Sequence, residues 1–223
     1  MEHQSPQSIK IISRYLKNLF PKLKSPGGEN QQVLNICIPA YREESLAQTL
    51  SSLSQCASIS WEVHVWVNLN QPEGEEETEK FHDTQKQELE SIAWPFHLHV
   101  LQSSLPRKKA GVGLARKITM DKALLQAFQT NALPGFLVCL DGDCTVSNNY
   151  LEALQKHISE HPKTNGFSIQ FEHPLEALNK NEKEAIVRYE CHLRLYRLGL
   201  QWAGHPYAFH TVGSSMAIST EAY

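Results

Sequence analysis

Apolar residues along this chain follow two rhythms. Residues 33–39, 61–69, 96–101, 136–140 and 166–171 are continuously apolar or alternate with polar ones, and they are rich in β-branched and aromatic side chains. Runs of that length and composition predict strands. Between them apolar positions recur three and four residues apart: Ile9, Ile12, Leu16, Leu19, Phe20 and Leu23; Leu46, Leu50 and Leu53; Ile118, Leu124, Leu125 and Phe128; Tyr189, Leu193, Tyr196 and Leu200. That spacing predicts amphipathic helices. Further helices are expected through residues 81–92, after an acidic loop, and after residue 151. The segment 207–219 has strand character. Strand, short polar loop and helix in repeated alternation predict an α/β fold, Rossmann-like, with a mostly parallel sheet flanked by helices.

The fourth strand pattern carries the most chemistry. It follows the turn signal Pro134-Gly135 and ends in Asp141-Gly142-Asp143. Open α/β sheets bind ligands at the carboxyl ends of their strands. Two carboxylates one residue apart can face the same side of a turning backbone, and hard divalent cations such as Mn²⁺ or Mg²⁺ take oxygen ligands shared with substrate phosphates. The competing explanation is a turn that favours Asp and Gly for conformational reasons.

Two other loops sit at the same predicted edge. Residues 40–44, Ala-Tyr-Arg-Glu-Glu, offer an aromatic ring and a cation, or else simply start a helix with favourable acids. Arg107, Lys108 and Lys109 precede Gly111 and Gly113, with Arg116 and Lys117 in the first turns of the next helix. A helix N-terminus after mobile glycines favours phosphate, although a basic loop is also compatible with plain solvation.

Composition narrows the field. The 223 residues are 41% hydrophobic and 20% charged, the make-up of a globular protein with a real core. A net charge of −3 gives no reason to expect nucleic acid. The charge is uneven: Lys10, Arg14, Lys17, Lys22 and Lys24 stand against Glu2 alone in residues 1–28, and residues 73–90 carry eight acids against Lys80 and Lys86. The basic helix suits either an anionic membrane surface or packing on its own domain. Ser25 to Gly28 reads as a linker, which divides the chain into 1–28 and a domain at 29–223. The five cysteines include no C-x-x-C pair, and Cys37 and Cys139 fall in buried strand patterns. This argues for a reducing compartment and against a disulfide framework or zinc site. Without a visible leader or an apolar run of membrane-spanning length, the expected location is the cytoplasm, with the inner face of the membrane as the place any peripheral contact would occur.

The pieces in order resemble the family 2 glycosyltransferases of the GT-A fold. Asn35-Ile-Cys-Ile-Pro-Ala-Tyr-Arg-Glu-Glu44 resembles their first strand and loop. Gly113-Leu-Ala-Arg-Lys117 resembles their G-x-A-R-N element, with Leu114 and Lys117 departing from its commonest form. Leu140-Asp-Gly-Asp-Cys144 resembles their D-x-D motif, and Gly213-Ser-Ser-Met-Ala217 their glycine-serine strand. The resemblance covers roughly residues 33–218. It implies metal-assisted, inverting transfer of a sugar from a nucleotide-diphosphate donor to an acceptor hydroxyl on a glycan, lipid or other molecule. It implies a donor site built from Pro39, Tyr41, Glu43, Asn68, Lys109, Arg116, Asp141, Gly213 and Ser214, with Asp143 and Asp141 holding Mn²⁺ or Mg²⁺. Asn68 and Asn70 stand near the place where the family often has an acid. The family's catalytic carboxylate follows the glycine-serine strand, so the base is expected beyond Tyr223, and this stretch is expected to be a fragment inactive without it. The alternatives are a non-catalytic nucleotide-sugar-binding domain and a nucleotidyltransferase. The latter is disfavoured because residues 40–44 contain no glycine.

Overall fold

The computed structural model describes residues 6–21, 23, 32–132, 135–176, 178–209 and 212–223. The linker at residues 25–28 and Pro134 lie outside them. Twelve elements follow in the order α1 (Pro6–Leu19), β1 (Val33–Ala40), α2 (Leu46–Ser54), β2 (Glu62–Pro72), α3 (Glu76–Ser91), β3 (His97–Leu105), α4 (Val112–Gln129), β4 (Phe136–Cys139), α5 (Tyr150–Glu160), β5 (Gly166–Ser168), α6 (Lys180–Trp202) and β6 (Met216–Ser219). The six strands form one sheet in the order β3-β2-β1-β4-β6-β5. β1 pairs in parallel with β2 and β4, and β2 with β3, whereas β6 runs antiparallel to both β4 and β5. The expected mixed α/β architecture with a mostly parallel sheet is what the chain adopts.

Every residue of β1 and β4 is buried, as continuous apolar runs in a helix-covered parallel sheet must be. Leu46, Leu50 and Leu53 of α2 pack on one face with Ile36, Ile38, Val65 and Val67. Met120 and Ala123 of α4 pack on the other with Cys37, Leu137 and Cys139. The buried thiols Cys37 and Cys139 are core residues, and Cys37, Cys56, Cys139, Cys144 and Cys191 are all free.

Several boundaries differ from the sequence reading. β2 runs on to Pro72. β5 spans only Gly166–Ser168, although Ile169 N–H adds one bond to Ser215 O at 2.7 Å. The acidic segment is helical from Glu76, because Glu76, Glu77 and Glu79 lie in the first turn, where carboxylates complement the helix dipole. α6 is capped by a reciprocal pair, Asn179 and Glu182, yet buries none of its residues. Of its expected apolar face, Leu193 and Leu200 are half-buried while Tyr189 and Tyr196 stay exposed.

The basic N-terminal helix rests on the domain. Ile12 and Leu16 are buried against Leu124, Ala127 and Phe128 of α4. Tyr15 Oη and Tyr223 Oη both donate to Asp121 Oδ1, at 2.7 and 2.8 Å, and Lys117 Nζ bonds Asp121 Oδ2 at 2.7 Å. Ile12 and Leu16 of the apolar stripe are thereby covered by α4, whereas Ile9 and Leu19 of that stripe, with Ile11, face outward. Among the described residues no helix is long and apolar enough to cross a membrane.

Candidate functional site

The parallel strands β1, β2 and β4 deliver their carboxyl ends to one edge of the sheet, and the candidate residues gather there. Leu140 N–H extends the ladder by donating to Cys37 O at 3.1 Å, after which the chain turns through Asp141-Gly142-Asp143. Gly142 is buried in the floor of that turn. A Cβ there would lie 3.1 Å from Glu43 Cγ and 3.5 Å from both Ala40 Cβ and Leu46 Cδ1. A side chain there would have to push Glu43 back by a few tenths of an ångström, and the Gly142 carbonyl accepts from the buried Thr49 Oγ1 at 2.7 Å. This fixes the D-x-D turn against the β1–α2 loop, with Asp141 half-buried and Asp143 exposed.

Arg116 enters from the second turn of α4. Its Nη2 donates to Asp141 Oδ1 at 2.7 Å, and its side chain is 14% exposed. Gly213, just before β6, lies against the same guanidinium: a Cβ there would fall 2.5 Å from Arg116 Nη1. Arg116 Nε is buried and has no hydrogen-bond partner within the protein. Three of the resembling motifs therefore meet around one guanidinium, although Arg116 comes from a helix and residues 141 and 213 from two separate loops. Ser214 is half-buried beside them, and Ser215 N–H closes a turn onto Val212 O at 3.0 Å.

The β1–α2 loop is held from beneath. Arg42 has φ +48°, a left-handed conformation unusual for a side chain of that size. Its N–H donates to Nε2 of the fully buried His82 at 3.2 Å, and His82 Nδ1 pairs with Gln71 Oε1 at 2.9 Å. Burial, with help from the Arg42 cation, holds the His82 pKa below the usual histidine value. Tyr41 presents a ring that is 51% exposed, its hydroxyl donating to Glu75 Oε2 at 2.9 Å. Glu43 Oε1 accepts from Ser45 Oγ at 2.6 Å. Pro39 is buried at the end of β1, opposite Asn68.

The two remaining predicted residues differ in exposure. Asn68 is fully buried and donates from Nδ2 to Ala115 O at 3.1 Å, which ties β2 to the start of α4. Lys109 is exposed on a turn, its N–H bonded to Pro106 O at 2.7 Å. Neighbouring Arg107 braces the β2–α3 turn through Nε to Glu73 O at 2.8 Å. Gly111 and Gly113 at the start of α4 face open space. Glu75, His82 and Thr49 were not singled out from sequence. Each acts across elements, and no local pattern marks such a partner.

The oxygen-only donor set of Asp141 and Asp143 suits a hard cation, with Asp141 Oδ1 already engaged by Arg116. The nearby thiols are held towards their protonated form. Burial pushes Cys139 up to about 11 against the pull of Arg116, and burial together with the Asp143 carboxylate pushes Cys144 up to about 11. A cleft of about 500 Å³ lies between Ile169 and α6, bordered by Phe171, Arg194, Arg197 and Phe209. It adjoins the site through the Ile169–Ser215 hydrogen bond.

No protein-family model matches the sequence, and no curated protein matches it. Among solved structures, the chain is similar to S. aureus TarS 1-349, with 18% identity and a TM-score of 0.41 over 66% of this chain and 38% of that one. It is similar to the same protein in complex with UDP-GlcNAc at 16% identity and TM-score 0.41, over 66% and 36% of the two chains. Mouse xyloside xylosyltransferase 1, apo form, aligns at 12% identity and TM-score 0.39, over 87% of this chain and 68% of that one. The match thus spans well under half of the TarS chain.

Proposed function

We propose that this chain is a glycosyltransferase domain of the family 2, GT-A type, which binds a nucleotide-diphosphate sugar at the carboxyl edge of its sheet and transfers the sugar to an acceptor hydroxyl with inversion. One observation carries the reading: Arg116, Asp141 and Gly213 converge beside the exposed Asp143 carboxylate. Asp143, touched only weakly by Cys144 Sγ, supplies oxygens for Mn²⁺ or Mg²⁺, and Asp141 offers its second oxygen. A bound cation would neutralise charge building on the leaving diphosphate. Arg116 fixes Asp141 and adds a cation at the same place. The exposed ring of Tyr41, steadied by Glu75, provides a stacking face for the base. Glu43 borders it, and the open start of α4 with Lys109 faces anionic groups. The cleft beside α6 is the proposed entry for the acceptor, whose hydroxyl must meet the sugar from the side away from the diphosphate for inversion.

The test is calorimetric titration of UDP, GDP and ADP with and without Mn²⁺. One nucleoside diphosphate is expected to bind, with affinity at least about tenfold lower when the metal is withheld. Failure of all three to bind in either condition overturns the proposal.

A further inference from the structure

At the opposite edge of the sheet, where β2 and β3 begin, four side chains with metal-ligating chemistry share one face. His64 and His97 are register partners across the parallel pair, and Glu62 and His99 lie two residues from them on the same side. The possible ligand atoms of Glu62, His64 and His97 all lie within 4.8 Å of one another. His64 Nε2 stands 3.5 Å from Glu62 Oε2. That separation is long for a hydrogen bond, but it matches the edge of a tetrahedron built on metal–ligand bonds of about 2.0–2.2 Å, roughly 3.4 Å.

The surroundings are those of a supported ligand. His64 is 8% exposed, and its second nitrogen, Nδ1, pairs with His99 Nε2 at 2.9 Å. His99 is itself stacked on Trp66, with ring centroids 4.0 Å apart. A ligating imidazole whose other nitrogen donates to a fixed acceptor has its tautomer and ring orientation set, which is the usual outer-shell arrangement of metal sites. His97 is exposed and Glu62 keeps a 41% exposed side chain, so an ion can reach the cluster and the exposed ring can turn onto it.

We infer that Glu62, His64 and His97 form a binding site for a zinc-class divalent ion, with His99 as the positioning residue and a fourth position open to water. Imidazole and carboxylate together suit zinc, cobalt or nickel rather than magnesium. The cluster contains no cysteine, so the lack of cysteine spacing that argued against a zinc site says nothing about it. The paired H-x-H segments at 97–99 and E-x-H at 62–64 are the sequence signal, and they become visible only once the register aligns them. An ion here would fasten the starts of β2 and β3, far from the Asp141–Asp143 edge.

The experiment uses the full chain without a histidine tag, stripped with chelator and titrated with Zn²⁺ by calorimetry and with Co²⁺ by visible absorption. One saturable equivalent is expected, with the strong d–d bands of four-coordinate cobalt. His97→Ala and Glu62→Gln, both at accessible positions, should each weaken binding at least about tenfold. Asp141→Asn combined with Asp143→Asn should leave zinc binding intact, as should His161→Ala, which removes one ring of the only other close histidine pair on a described helix end. The inference fails if the chain binds neither ion saturably, if His97→Ala with Glu62→Gln binds as tightly as the parent, or if the Asp double variant abolishes zinc binding.

Discussion

Arg116 Nη2 meets Asp141 Oδ1 at 2.7 Å across 25 residues of sequence, and Gly213 leaves the room that lets it do so. The first turns of α4 and the end of β4 are thereby locked into one surface. A methyl group on residue 213 would sit where the guanidinium now lies.

Gly213→Ala is therefore expected to drive Arg116 off Asp141. A charge-assisted hydrogen bond contributes about 1.5–3 kcal/mol, which corresponds to roughly ten- to a hundredfold in affinity. Calorimetry with the nucleoside diphosphate that the parent binds should show that loss. An unchanged affinity would mean that Gly213 does not position Arg116.

Asp143 is exposed and makes only a weak contact, from Cys144 Sγ at 3.5 Å. Replacing it with Ala should change stability by no more than about 0.5 kcal/mol, as is usual for surface positions. Metal-dependent nucleotide binding should vanish while the unfolding midpoint holds. Retention of the full Mn²⁺ effect would remove Asp143 from the metal site.

Leu16 is fully buried between α1 and α4. Leu16→Ala is expected to lower unfolding free energy by about 2–5 kcal/mol, the range for emptying a core leucine site. Urea unfolding measures this directly. A cost under about 0.5 kcal/mol would show that α1 does not dock on α4 in solution.

His82 accepts the Arg42 N–H at Nε2 and is fully buried, so the folded protein favours its neutral form. Its folded pKa lies below the ordinary value of 6.5. As pH falls through 6.5 the unfolded chain takes up the proton first. The contribution is thus present above that pH and is lost progressively on acidification towards the folded value. Thermal midpoints measured between neutral pH and mild acid should fall, and His82→Gln should flatten the slope. A parent and variant with parallel pH profiles would contradict this.

Much of the sheet could be read in the sequence because burial on both faces writes itself as continuous apolar runs: Ile36 to Ile38 and Phe136 to Leu140 could hardly be anything else. The D-x-D turn and Arg116 were visible as local motifs. What the chain could not show locally was register and direction. Nothing in residues 207–219 says that β6 runs antiparallel, and nothing near Glu62 says that His97 lies opposite His64. Asn68 illustrates the same limit. Nothing local says that α4 is laid over it with its Nδ2 donating to Ala115 O. α3 began earlier than expected because acids that look like a solvated loop also make a good first turn.

The reversed direction of β6 has a consequence for the order in which the molecule comes into being. Because β6 runs against β4, with Cys139 opposite Met216, the residues just before β6 arrive at the edge where β4 ends. The earlier strands β1 to β4 can pair as soon as their sequence has been synthesised, but the last wall of the Arg116 surface waits for residues 213–219. During translation the nascent chain can hold a nearly complete sheet and still lack its grouping of Arg116, Asp141 and Gly213. That grouping closes only after residues 213–219 have emerged, through the Gly213–Arg116 contact, the most sequence-distant of the three and so of a slow kind to form.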